Sequence, residues 1–111
     1  MTKFVFVYHA PATPADAAPA DPAEMEAIMG QWMAWAGRVG DGLVDFGTPL
    51  ANGVRVTTDG TSPSTSEVVG YSIIEAADMD AALALAAGHP HLNMPGGCTI
   101  EVHEALPVPG M

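Results

Sequence analysis

Apolar residues along the chain fall into four short runs and two longer ones. The short runs are rich in β-branched and aromatic residues, which is typical of strands. The longer runs repeat apolar residues three and four positions apart, as one side of a helix does. The predicted strands are 3–9, 43–47, 67–75 and 98–104, and the predicted helices are 22–39 and 79–87. Residues 57–66 are rich in Thr, Ser, Gly and Pro and are predicted to form a loop.

Capping residues support both predicted helices. Asp21 can cap the first helix, with Pro22 at its first position and Glu24 at its third. Asp78 can cap the second helix, and Gly88 ends it. The apolar side of the first helix is expected to face the core; it consists of Met25, Ile28, Met29, Trp32, Ala36 and Val39.

The order βαββαβ predicts an α+β fold of the ferredoxin-like type. In that fold, two helices cover one face of a four-stranded antiparallel sheet. The first strand is apolar at both alternating sets of positions, Phe4, Phe6 and Tyr8 on one side and Val5 and Val7 on the other. Because the second face is too apolar to leave in water, we expect it to meet a second subunit and form a dimeric α+β barrel.

Length and composition narrow the possible partners. The chain has 111 residues and is expected to be a single domain over 1–111, with an Ala/Pro-rich loop at 10–20 and a tail at 105–111. With three Lys or Arg against thirteen Asp or Glu and a formal charge of −10, the chain has no basic patch to neutralise phosphates, so we expect neither nucleic acid nor an anionic membrane surface as a partner. Cys98 stands alone, so no intrachain disulfide can form, which fits a reducing compartment. No apolar run reaches the length of a membrane helix, and we expect a cytoplasmic protein.

Strand alternation places a set of polar side chains on the face expected to meet the second subunit. In the last strand, Glu101 and His103 share one side, opposite Ile100 and Val102. By the same rule Tyr71 shares a side with Val69, Ile73 and Glu75, and His9 shares one with Val5 and Val7. If these sides coincide, a carboxylate, an imidazole and a phenol converge, and burial would separate their pKa values for acid–base work. The alternative is that Glu101 and His103 simply pair with each other.

Other residues are candidates for ligand-binding, metal-binding or nucleophilic groups. Trp35 lies at the edge of the helical apolar stripe, where it would line a pocket, a subunit contact or the core, and Arg55 could bind a carboxylate ligand. Four soft potential metal ligands share one turn region: His89, His91, Met94 and Cys98. Their spacing is not an established metal signature, and we expect an ordinary loop and no metal. Cys98 and His103 have opposite strand parity and lie roughly 16 Å apart, so they cannot form a nucleophile–base pair.

Five segments share their order and spacing with a known family: Leu43-Val44-Asp45-Phe46-Gly47-Thr48-Pro49, Gly70-Tyr71-Ser72-Ile73-Ile74-Glu75-Ala76, Ala82, His89-Pro90 and Ile100-Glu101-Val102. In these segments the chain resembles the YCII-related family, also called DGPF domain proteins. The resemblance implies a ferredoxin-like subunit that dimerises, with a pocket beside the sheet. Some members are thought to be enzymes that use a His and an Asp near the end of the first helix. This chain departs from that pattern. It has no histidine from Asp21 to Phe46, and the acidic residue nearest to the end of the first helix is Asp41.

The function predicted from the sequence is the binding of a small organic molecule in a cavity on the sheet. As an enzyme, the protein would perform acid–base chemistry without a cofactor. His103 would carry the proton, Glu101 would orient it and Tyr71 would donate a hydrogen bond, while His9, Arg55 and Trp35 would bind substrate. The alternatives are a noncatalytic binding or regulatory homodimer and a purely structural homodimer.

Overall fold

The computed structural model describes residues 1–11, 21–94 and 97–109. The predicted loop at 10–20 therefore lies mostly outside the described residues, as does the end of the predicted tail. The elements in chain order are β1 (Thr2–His9), α1 (Pro22–Val39), β2 (Leu43–Asp45), β3 (Val54–Thr57), β4 (Gly60–Pro63), β5 (Val68–Ala76), α2 (Met79–Ala86) and β6 (Thr99–Glu104). Short 3-10 turns cover Gly40–Gly42 and Pro90–Asn93.

Four strands form an antiparallel sheet in the order β2-β5-β1-β6. This order, with two helices packed on one face, is the ferredoxin-like arrangement and confirms the predicted fold class. Both predicted helix caps are present: Asp21 Oδ1 accepts the Glu24 N–H at 2.8 Å, and Asp78 Oδ1 accepts the Ala81 N–H at 2.9 Å. Neither helix in the described part of the chain is long and apolar enough to cross a bilayer.

The core lies between the sheet and the helices. Phe4, Phe6 and Tyr8 of β1 are at most 3% exposed, and Trp35 of α1 packs against Phe6 with ring centroids 6.0 Å apart. Other core members are Ile74, Ala76, Ala82 and Ala86. Burial of these side chains removes apolar area from water and is the main force that holds the helices on the sheet.

The apolar stripe of α1 is buried in its second half but not in its first. Met25 and Met29 are each 56% exposed, whereas Trp32 and Val39 pack on the core. Trp35, expected at the edge of the stripe, is the most buried residue of the helix. The helical period identifies residues on one side of a helix, but it does not show how far the surface beneath them extends.

The predicted loop over 57–66 is wrong in its first part. β3 and β4 form a hairpin there, in which Thr57 pairs with Gly60 around a turn that contains Asp59. Both strands are exposed along their whole length, so the hairpin lacks the alternation of apolar and polar residues that marks a half-buried strand. Asp59 followed by Gly60, whose φ angle is +130°, was the available sequence signal for a turn.

A β-bulge interrupts the pairing of β1 with β5. Tyr8 pairs with Gly70 and His9 with Val68, so β5 contains one additional residue, Val69. Val69 packs against the core, which corrects the prediction that it shares a side with Tyr71. Because the additional residue belongs to β5, the alternation of β1 continues unbroken to His9.

Candidate functional site

The face of the sheet that does not carry the helices is half apolar and half polar. We call it the open sheet face, and its central residues are Val5, Val7, His9, Tyr71, Ile73, Glu101 and His103. Val7 of β1 pairs with Tyr71 on one side and with Glu101 on the other. Val5 likewise lies between Ile73 and His103. The face therefore has an apolar strip along β1 and β5 and a polar edge along β6.

Three of the polar side chains that the sequence placed on this face come together. His103 Nε2 lies 2.9 Å from Glu101 Oε1, within hydrogen-bond distance. His9 Nε2 lies 3.7 Å from the same oxygen. We call His9, Glu101 and His103 the imidazole–carboxylate triad.

The electrostatics of the triad keep its carboxylate ionised. The hydrogen bond from His103, followed by the charge of His9, lowers the pKa of Glu101 below its ordinary value. Because an ionised carboxylate is an acceptor only, the His103 Nε2–H donates to it. The lone pair of neutral His103 is then on Nδ1, which is the nitrogen able to accept a proton.

His9 is the least satisfied member of the triad. Its Nε2 atom is buried and makes no hydrogen bond within the described part of the chain. A buried polar atom without a partner is costly, so this nitrogen is a position where a ligand or water atom would stabilise the protein.

Tyr71 does not join the triad. Its hydroxyl donates to Asp45 Oδ2 at 3.2 Å, toward β2 and away from β6. Tyr71 and Glu101 are separated by β1, or about 10 Å across two strand spacings. The negative charge of Asp45 and the hydrogen bond to it raise the pKa of Tyr71. Asp45, which the sequence analysis did not select, also accepts the Gly47 N–H at 2.8 Å, as is common for Asp in a turn.

The two other sequence-selected binding residues lie elsewhere. Trp35 is 3% exposed on the helix side of the sheet, where its Nε1–H donates to the Leu85 carbonyl at 2.9 Å. Arg55 is exposed on β3, in the separate two-stranded sheet. The structure therefore does not bring either residue together with the triad.

A second polar cluster lies buried on the helix side of the sheet, and it was not predicted from the sequence as a unit. The Tyr8 hydroxyl donates to Ser72 Oγ at 2.7 Å, and Ser72 donates to the Phe46 carbonyl at 2.6 Å. His89 Nδ1 accepts the His91 backbone N–H, so neutral His89 carries its proton on Nε2 and donates it to Tyr8 at 3.1 Å. These hydrogen bonds run without a break from His89 through Tyr8 and Ser72 to the Phe46 carbonyl.

Burial sets the protonation states in this cluster. Burial, with the nearby charges of His91 and Arg38, lowers the pKa of His89 to about 3, and burial raises the pKa of Tyr8 to about 12. Both groups are therefore neutral near pH 7. His89 lies within 5 Å of three aromatic rings, those of Tyr8, Trp32 and Trp35.

In the turn region with the four potential metal ligands, both imidazoles make hydrogen bonds within the protein. His89 is hydrogen-bonded to the Tyr8 hydroxyl and to the backbone N–H of His91. The His91 Nε2–H donates to the His9 carbonyl at 2.9 Å. Cys98 is half-buried. Within residues 1–11, 21–94 and 97–109, no group of three or more His, Cys, Asp or Glu side chains has the geometry to hold a metal ion.

The family model of the YCII-related domain matches residues 4–105. The chain belongs to the YCII-related family. The match extends from β1 to the end of β6 and so includes every residue of the triad. No curated protein sequence matches this YCII-related chain.

Proposed function

We propose that the open sheet face of this YCII-related protein binds a small organic molecule and that the imidazole–carboxylate triad transfers a proton to or from it. The observation that carries the proposal is the shared oxygen, Glu101 Oε1, 2.9 Å from one imidazole and 3.7 Å from another. A carboxylate that holds one imidazole nitrogen fixes the tautomer and makes the other nitrogen a better base. No cofactor is required for such a step.

The roles of the two histidines differ. His103 is the proton carrier, because Glu101 orients its Nε2–H and leaves Nδ1 to react. His9 is the binding group, because its buried Nε2 has no hydrogen-bond partner among the described residues and points toward the carboxylate. The adjacent side chains of Val5, Val7 and Ile73 would contact the apolar part of the ligand and exclude water from it.

The site is proposed to be enclosed by a second copy of the chain. Val5, Val7 and Ile73 of the apolar strip are only half-buried in the single chain. Pairing two open sheet faces would bury the strip and enclose the triad, which is otherwise exposed at Glu101 and His103.

The same apolar strip also favours a second candidate, a homodimer that binds ligand without turnover or has only a structural role. Dimerisation requires only the apolar residues, and the triad would then be a pairing of surface side chains. The two candidates differ in what the triad does, and substitution of its members separates them.

The test is incubation of the purified protein with a cell metabolite extract, followed by liquid chromatography and mass spectrometry. We expect one metabolite to be consumed and one product to form, with His103→Ala and Glu101→Gln slowing the reaction by on the order of a hundredfold or more. Glu104→Gln, in the same strand but with opposite parity, is the matched control and should keep full activity. Retention of a metabolite without any product would support the noncatalytic candidate instead.

A further inference from the structure

We propose a second ligand site on the helix side of the sheet, a cavity that binds a small organic carboxylate through Arg38. The cavity has a volume of about 320 Å³ and lies between α1 and the segment that follows α2. Its described lining residues are Gln31, Ala34, Trp35, Arg38, Gly88, Pro90 and Asn93. This site is independent of the triad, which lies on the opposite face.

The charge of the lining is unusual for this chain. The protein has thirteen acidic residues and three Lys or Arg, yet the lining residues include Arg38 and no acid among the described residues. The amides of Gln31 and Asn93 add hydrogen-bond donors. A cation with neutral donors and no carboxylate is the composition that binds an anion.

Arg38 is held in position before any ligand binds. Its Nη2 donates to the carbonyls of Leu85 and Ala87, each at 2.9 Å, so it caps the C-terminal end of α2. The Leu85 carbonyl also accepts the Trp35 Nε1–H, which fixes the indole beside the guanidinium. Since both Nη2 donors are used, Nη1 and Nε are the donors left for a ligand.

Gly88 lies beside Arg38 Nη1 at the edge of the cavity. Its φ angle is +74°, and a Cβ atom at this position would make an ordinary contact with Arg38 Nη1, at 3.5 Å. Because glycine has no side chain, position 88 adds no bulk beside this nitrogen, whereas a larger residue would narrow the approach to it. Because Trp35, Pro90 and Ala34 form the rest of the wall, the ligand is a carboxylate with a compact apolar body.

Titration of the full-length protein with sodium benzoate, followed by the indole N–H resonances in ¹H–¹⁵N spectra, tests this site. We expect a saturable shift of the Trp35 resonance, a much smaller shift with the neutral analogue benzamide, and little change at Trp32. Gln31→Glu should weaken benzoate binding on the order of tenfold, because it adds a negative charge to the cavity at an exposed position. Asn52→Asp adds the same charge at an exposed residue outside the lining and should leave the affinity unchanged.

Arg38→Gln should remove the benzoate shift, but it also removes the cap of α2, so Gln31→Glu is the decisive variant. His103→Ala should bind benzoate as the unmodified protein does, which separates this site from the proposed function. A shift that does not saturate, an equal response to benzamide, or unchanged affinity in Gln31→Glu would overturn the proposal.

Discussion

The hydroxyl of Tyr8 connects the sheet with the turn after α2. It donates to Ser72 and accepts from His89, and all three residues are at most 3% exposed. In a buried environment, each of these groups depends on the others for its hydrogen bonds. We therefore interpret the cluster as structural: it fixes the turn whose His91 holds the backbone of His9.

Removing this hydroxyl should be costly, because the buried His89 Nε2–H loses its acceptor and the buried Ser72 Oγ loses the donor that Tyr8 supplies. Tyr8→Phe is expected to lower the free energy of unfolding by about 1–3 kcal/mol, measured by urea denaturation. Tyr71→Phe is the matched control, because its hydroxyl bond to Asp45 is exposed, and it should cost less than about 1 kcal/mol. Equal stability of the two variants would contradict the structural role.

The lowered pKa of His89 predicts acid sensitivity. The unfolded imidazole takes up a proton near its ordinary pKa of 6.5, whereas the folded one does so only near about 3. The unfolded chain thus binds more protons between these values, and stability falls as the pH drops through that range, by up to about 1.4 kcal/mol per pH unit. His89→Asn can still accept the His91 N–H but does not titrate, so its urea midpoint should depend less steeply on pH between 6.5 and 4. An unchanged slope would contradict this explanation.

At the residue scale, strand alternation was sufficient to place His9, Glu101 and His103 on one face. It could not show that Tyr71 turns toward Asp45, because alternation gives the face of a side chain and not its partner. The Tyr8–His89 bond joins residues 81 positions apart and has no local sequence pattern.

Among the elements, the connection after β2 depends most on close backbone packing. Gly47 has a φ angle of +85°, and a Cβ atom there would lie 1.6 Å from the Tyr71 carbonyl oxygen. The chain can pass so close to β5 only without a side chain. This contact holds the edge strand and positions Asp45 beside Tyr71.

Gly47→Ala should therefore lower the free energy of unfolding by at least about 2 kcal/mol, through both the clash and the positive φ angle. Gly30→Ala is the matched control: Gly30 lies within α1, where an added Cβ atom would have no neighbouring atom within 4 Å, and this change should stabilise the protein by about 0.5–1 kcal/mol. Thermal or urea unfolding measures both. Similar effects of the two changes would contradict the packing argument.

The elements that could be predicted from the sequence are those with local physical signals. Asp21 and Asp78 marked the helix starts because a carboxylate satisfies free backbone N–H groups there. The hairpin of β3 and β4 was missed because neither strand buries a face, and the exposure of Met25 was missed because it depends on the extent of the sheet beneath α1.

At the scale of the whole molecule, the shape is a flat slab with extents of 45 × 44 × 19 Å. One layer of helices on one sheet gives this thickness, and no described element of the chain covers the second face of the sheet. The proposed dimer supplies that layer. A charged residue substituted into the apolar strip should therefore dissociate the proposed dimer, since an unpaired charge is costly to bury.

Val7→Glu is expected to convert the dimer to a monomer in size-exclusion chromatography with light scattering. Val56→Glu, at a position 75% exposed on the hairpin, is the matched control and should remain dimeric. Persistence of the dimer in Val7→Glu would exclude the open sheet face as the interface.

Native mass spectrometry of gently purified protein, with and without a metabolite extract, tests the central claim most directly. The account predicts a dimer that carries a small-molecule adduct, and loss of this adduct in His9→Ala and His103→Ala but not in Glu104→Gln. A monomer, or a dimer whose adduct survives both histidine substitutions, would contradict the claim that the open sheet face is the ligand site.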